Sequence, residues 1–252
     1  MIATLIGLGI LVGTIGSMIG IGGGLLIVPI FILLFGFSVQ ETVGTALFIV
    51  CFNALSGTLA YVKQKNIAYS IAFKFALATI PGAIIGSYLT ELLSGNTFCL
   101  LFGIFLIATA LNMYRKSTTK TIIKGNEKSI SRIRVQLGIL CSFFTGCLSS
   151  VLGIGGGIIH VPFMNHFLHF SIHKAIATST CILFISSLFG LFSHGFLGHI
   201  LWSEALFTSI GAFLGAQIGA HFTKYISAKY LTAVFSIFVL GIGLKFIFSG
   251  LL

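Results

Sequence analysis

The stretch that decides the fold reads Gly20-Ile21-Gly22-Gly23-Gly24-Leu25-Leu26-Ile27-Val28-Pro29, and it returns as Gly153-Ile154-Gly155-Gly156-Gly157-Ile158-Ile159-His160-Val161-Pro162. Each run interrupts a stretch that is otherwise apolar. Glycine inside a helix costs about 1 kcal/mol relative to alanine, so four in five positions predict that the helix unwinds there. The apolar run after the first break, residues 25–36, is about 12 residues or roughly 18 Å of helix. That is too short to cross a hydrocarbon core of roughly 30 Å. Exposed backbone at membrane depth is tolerated only where protein or a water-filled cavity covers it.

The repetition extends well beyond the glycines. A shift of 133 residues lays the first half on the second without a gap. Gly13 falls on Gly146, Val28-Pro29 on Val161-Pro162, Phe37-Ser38 on Phe170-Ser171, Thr45 on Thr178 and Gly57 on Gly190. Gly82-Ala83 falls on Gly215-Ala216, Gly86 on Gly219 and Ser94 on Ser227; Pro81 breaks the pattern against Leu214. The expected organisation is a first transmembrane repeat over 1–114, a basic cytoplasmic linker over 115–134 and a second repeat over 135–252. The linker holds Arg115, Lys116, Lys120, Lys124, Lys128, Arg132 and Arg134 against Glu127 alone.

Composition agrees with a lipid environment. The chain of 252 residues is 57% hydrophobic and 7% charged, where a soluble domain carries about 25% charged residues. The fold class expected is an all-α polytopic membrane protein. A net charge of +10 would suit nucleic acid, but the cations sit in short loops between apolar runs, as the positive-inside rule describes, and nucleic acid is set aside. The five cysteines lie in apolar stretches without a CxxC pair and read as reduced packing residues. The N-terminus lacks a basic region, so no cleavable leader is expected.

Loop charges choose between parallel and inverted repeats. Further apolar runs lie near residues 43–62, 67–93 and 97–114. Inverted repeats put Lys63, Lys65, Lys174, Lys224 and Lys229 on the linker's side and Glu41, Glu91 and Glu204 on the other. Parallel repeats would put Lys174, Lys224 and Lys229 outside. Inverted repeats are expected, with Lys245 as the one cation against them.

The chemistry follows from the breaks. The helices restarting at Leu25 and Ile158 begin with free amides and a partial positive charge, which bind an anion without a charged side chain. The candidate substrate-binding residues are Gly22, Gly23, Gly24, Gly155, Gly156 and Gly157 through their amides, with Thr45, Thr178 and Ser179 through hydroxyls and Asn53 through its amide. The blander reading makes the hydroxyls helix caps and Asn53 an interhelical tie. His160, opposite Ile27, is either a proton- or substrate-facing group or a packed core histidine. Gly82, Gly86, Gly215 and Gly219 read as close-packing positions, and Pro29 and Pro162 as structural kinks. His166 and His169 form HxxH without a carboxylate nearby, so no metal or other cofactor is expected. No GxxxxGK[ST] occurs, so ATP-driven transport by this chain is not expected.

The GxxIGIGGGxLIVP pattern, the threonine-bearing GTAL segment and the short basic loop, all duplicated, resemble the TauE/SafE sulfite-exporter family over nearly the whole chain. The resemblance implies a multi-pass permease of the bacterial inner membrane that handles sulfite, sulfonates or other small organosulfur anions. His160 and the Ala177-Thr178-Ser179-Thr180 segment depart from that pattern. The expected function is a secondary transporter of a small anion by alternating access, compatible with proton coupling and with a homodimer. A channel or uniporter is the near alternative. An intramembrane enzyme would need a nucleophile and base, and no GxSx-with-partner or HExxH pattern occurs. A structural or assembly factor would tolerate alanines in place of the glycine runs.

Overall fold

The structure, a computed structural model, describes residues 2–118, 131–223 and 228–251. Most of the linker expected over 115–134, together with Lys224 and Ser227, lies outside the described residues. Among those residues the chain is all-helical, with ten helices. These are α1 (Ile2–Ile19), α2 (Gly24–Phe35), α3 (Val39–Lys63), α4 (Tyr69–Glu91), α5 (Gly95–Thr118), α6 (Arg132–Leu152), α7 (Gly157–Phe167), α8 (Ile172–Phe196), α9 (Trp202–Phe222) and α10 (Ala228–Leu251). Six of them, α1, α3, α4, α6, α8 and α9, are long and apolar enough to cross a membrane. The short helices α2 and α7 each follow a glycine break.

The helix boundaries come from local chemistry. At the first break Gly20, Gly22 and Gly23 take φ of 78°, 78° and 82°, a region that residues with a Cβ avoid. Gly153, Gly155 and Gly156 repeat this at 70°, 81° and 70°. The start of α3 lies one turn earlier than the apolar pattern suggests. Ser38 and Glu41 form a reciprocal capping box there, so Thr45 falls inside the helix rather than at its cap.

Helices α1–α4 and α6–α9 form one compact unit, and α5 with α10 another. In the larger unit, glycines let helix backbones touch. A Cβ at Gly82 would strike the Phe143 carbonyl, and one at Gly86 the Cys147 carbonyl, pressing α4 against α6. At Gly215 and Gly219 it would strike the carbonyls of Ile10 and Thr14, pressing α9 against α1. These are the small-residue contacts that bring helices together where lipid removes the hydrophobic incentive. In the smaller unit, α5 and α10 run antiparallel. Gly103 meets Gly243, Gly250 meets Asn96, and the buried ring of Phe102 stacks on Phe98 and meets Phe246 at a tilt.

Helices α3 and α8 at the centre of the larger unit are antiparallel to each other. Thr45, early in α3, accepts from the Leu201 amide that follows α8. Thr178, early in α8, accepts from the Ala68 amide that follows α3. At the far side of α6 and α7, Arg134 Nη1 donates to the Phe167 carbonyl at 3.2 Å. The start of α6 and the end of α7 therefore share a side, and the pair dips into the core and returns.

Candidate functional site

The two glycine breaks touch. A Cβ built on Gly24 would collide with the Gly153 carbonyl oxygen, and one on Gly157 with the Gly20 carbonyl oxygen. Residues 20–24 and 153–157 are all buried. Only glycine allows two unwound backbones to cross at this distance.

Each break delivers a helix start into the crossing. The first bonds of α2 are Leu26 N to Gly23 O at 3.0 Å and Ile27 N to Gly23 O at 3.2 Å. Those of α7 are Ile159 N and His160 N to Gly156 O at 3.1 and 3.3 Å. The amides of Gly24 and Leu25, and of Gly157 and Ile158, precede the first turn of hydrogen bonds and have no acceptor within their own helices. Two partial positive ends therefore lie side by side in a buried setting.

The space directly between the breaks, which the sequence reading assigns to a cavity, is occupied by two side chains. Val50 from α3 and Leu183 from α8, both fully buried, reach Gly22 and Gly155 alike. They form a small apolar cluster with Ala54 and Phe184. A groove of about 570 Å³ lies elsewhere in this unit, along α3 and α8, and its walls are apolar, including Phe52, Phe184, Phe192 and Trp202. It offers little to hold an anion.

Asn53 is the polar group closest to the crossing. Its Nδ2 donates to the Gly22 carbonyl at 2.8 Å, while its Oδ1 is buried without a partner. An unpartnered buried amide oxygen costs about 1–3 kcal/mol. The Ser179 hydroxyl is likewise buried and unpartnered. Thr45 and Thr178 sit differently: each uses its oxygen to accept from the loop amide described above, which fastens a loop and leaves the hydroxyl hydrogen available. His160 lies in the first turn of α7 on the second break. Its Nδ1 donates to Gly156 O at 3.2 Å, and its Nε2 lies 3.0 Å from Ser142 Oγ. The ring packs beside Phe75. The structure thus gathers Gly22, Gly23, Gly24, Gly155, Gly156, Gly157, Asn53 and His160 at the breaks, and places Thr45 and Thr178 at the loops flanking them.

Two matched pairs escaped the sequence reading. Ser17 and Ser150 lie in the last turns of α1 and α6, and both hydroxyls are buried without partners. The Ser17 carbonyl accepts from Tyr61 Oη at 3.0 Å, and the Ser150 carbonyl from His194 Nε2 at 3.2 Å. Both pairs are 133 residues apart. The serines were visible as identical residues in register. Tyr61 and His194 were not, because their shared property is a hydrogen-bond donor rather than a residue type.

A family model described as Sulfite exporter TauE/SafE matches residues 5–246. A protein of Bacillus subtilis described as a probable membrane transporter, YunE, is 34% identical, with 98% of this chain and 97% of the relative covered. A probable membrane transporter protein of the archaeon Methanocaldococcus jannaschii is 30% identical, covering 92% of this chain and 90% of the relative. One from Sinorhizobium is 27% identical over 92% of this chain and 87% of the relative. No solved structure matches the chain. These relatives are membrane transporters rather than enzymes. With its helices and its breaks seen to fit the motif, the chain is a multi-pass membrane protein that belongs to the TauE/SafE sulfite exporter family.

Proposed function

We propose that this chain is a secondary transporter of a small anion, of the sulfite or sulfonate class, working by alternating access. The observation that carries the reading is the crossing of the two breaks, where the starts of α2 and α7 meet beside the Asn53 amide group, whose Nδ2 is the donor. Helix N-termini attract anions through amides alone, and the scarcity of fixed cations in the spans fits a substrate that must also leave. The amides of Gly23 and Gly24 and of Gly155 to Gly157 contact the substrate, whereas that of Gly22 donates to the Gly16 carbonyl at 3.3 Å. Asn53 donates to it once released from Gly22, and the hydroxyls of Thr45, Thr178 and Ser179 complete the ring. The family description names sulfite, and that supports the organosulfur class here.

The halves act as inverted repeats. Contacts recur in support of this when every residue is moved by 133 positions and the halves are exchanged. Gly82 on Phe143 has its counterpart in Gly215 on Ile10, and Thr45 with Leu201 in Thr178 with Ala68. The corresponding helices α3 and α8 run in opposite directions. Lys63, Lys65, Arg134 and Lys174 lie at one end of the larger unit, the end where α3 finishes and α8 begins, and Glu41 and Glu91 at the other. The basic end faces the cytoplasm by the positive-inside rule, in the cytoplasmic membrane of a bacterium. Val50 and Leu183 close the path in this conformation, which favours a gated carrier over an open pore. Rocking of one interrupted pair against the other parts them.

Purified protein in proteoliposomes loaded with sulfite, sulfoacetate or a sulfonate tests the reading. Flux of one of these above empty-vesicle leakage, abolished in Gly24→Ala, is the expected result. Absence of flux for all small anions, in protein shown to be folded, overturns it.

A further inference from the structure

We propose that Glu91, His199 and His194 form a binding site for one proton, in a series that ends on the carbonyl end of α6 next to the second glycine break. Four groups lie in series. His194 Nε2 is 3.2 Å from Ser150 O, His194 Nδ1 is 3.0 Å from His199 Nδ1, and His199 Nε2 is 3.5 Å from Glu91 Oε1. A carbonyl only accepts, so His194 Nε2 carries a hydrogen. In a neutral His194 the Nδ1 is then a lone pair, and His199 Nδ1 must donate to it. A neutral His199 would then turn a second lone pair on Nε2 toward the Glu91 carboxylate, which is also an acceptor.

All three contacts are satisfied only with one proton more than two neutral imidazoles and a carboxylate hold. That proton can lie between His199 and Glu91. It can equally move inward: Glu91 or water delivers it to His199 Nε2, and the hydrogen on His199 Nδ1 passes to His194 Nδ1. His194 is then the cation, with both nitrogens donating, and no bond of the series is lost. Exposure grades along the path. The His194 residue is fully buried, the His199 side chain is 11% exposed and that of Glu91 45% exposed, so the series runs from water to the protein interior.

The charged and titratable groups around His199 come from three helices: Glu41 from α3, Glu91 from α4 and His194 from α8. The Ser150 carbonyl of α6 bonds His194, and α9 begins three residues on with Glu204 in its first turn. Burial pulls the His199 imidazole below its ordinary value, while Glu91 and Glu41 pull it up. The site therefore fills as the medium on that side becomes acidic. In the first half the carbonyl of Ser17 is held by Tyr61, a phenol where the second half has the His194 imidazole. His194 Nε2 donates to the Ser150 carbonyl with or without the extra proton, so what the proton changes is the charge of the series and its contact with Glu91. The transport reading is needed only to say what the proton would drive; the proton site stands on its own contacts.

Histidine-15N NMR of the full chain in micelles, across about pH 5 to 8, tests it, with resonances assigned by single substitutions. His194 and His199 are expected to titrate together, taking up one proton. Glu91→Gln is expected to lower their common midpoint by about one unit or more, and Glu91→Asp to restore it. His194→Tyr is expected to abolish the joint step while keeping the bond to Ser150. Independent titration of the two histidines, or a midpoint unmoved in Glu91→Gln, overturns the proposal. Glu91 is half exposed, so its variants fold. A chain that shows the joint titration yet moves no anion in vesicles defeats the transport reading and leaves the proton site intact.

Discussion

The two interrupted helix pairs have the same backbone and different fittings. Both breaks use glycines at positive φ, both press on each other's carbonyl, and both end their first helix with a capped serine carbonyl. Around the first break the fittings are Asn53, Ile27 and Tyr61. Around the second they are Ser186, His160 and His194. The backbone geometry needed to cross two unwound helices is restrictive, and only glycine meets it. The groups that hold it in place need only donate a hydrogen bond, so they are free to differ in how they respond to protons.

Substitutions at the crossing should give the largest effect and should be equal in the two halves. Gly24→Ala and Gly157→Ala each place a methyl on a carbonyl of the other break. Overpacking of this kind costs about 1–3 kcal/mol, read as loss of monodisperse protein on size exclusion and loss of flux. Gly7→Ala, with open space around it, should be neutral or slightly stabilising. Equal tolerance of all three would break the comparison.

Truncating the plug comes next, and here the halves should differ. Leu183→Ala removes more buried volume than Val50→Ala, and leucine truncation in a packed core costs roughly 2–5 kcal/mol. Thermal unfolding in detergent should fall further for Leu183→Ala, while vesicles carrying either variant should leak anion faster than wild type. A tight Leu183→Ala protein would show that the closure lies elsewhere. Asn53→Ala should change stability little, because it leaves the Gly22 carbonyl unsatisfied but also removes the unpartnered Oδ1, terms of about 1–3 kcal/mol each, and it should reduce flux more than Ser186→Ala does.

The smallest effects sharpen the comparison most. Tyr61→Phe and His194→Phe each remove one bond to a carbonyl, worth about 1 kcal/mol. Only the second should alter the pH profile of stability. Because burial holds His199 below its ordinary value, the unfolded chain takes up that proton at higher pH than the folded one. Its contribution to stability is complete above the ordinary imidazole range and is lost as pH falls from about 6.5 toward the folded value. A denaturation midpoint followed against pH would show a step in wild type that is altered in His194→Phe and retained in Tyr61→Phe.

Much of this was legible in the chain. The breaks, the short helices after them, the long apolar helices and the close-packing roles of Gly82, Gly86, Gly215 and Gly219 follow from glycine and proline placement. These residues act through their own backbones, so their positions carry the message. The boundary of α3 was misjudged by one turn because the Ser38 and Glu41 box lies outside the apolar run. The roles of Thr45 and Thr178 could not be read, since their partners, Leu201 and Ala68, belong to distant loops.

By itself the sequence determined that the chain enters lipid, where its helices break and which family it joins, because low charge, apolar length and glycine clusters act locally. Tertiary structure alone decided that the two breaks press against each other, that Val50 and Leu183 fill the gap, and that Glu91, His199 and His194 fall into line. Those contacts join residues far apart in the chain, and only packing fixes which donor faces which acceptor.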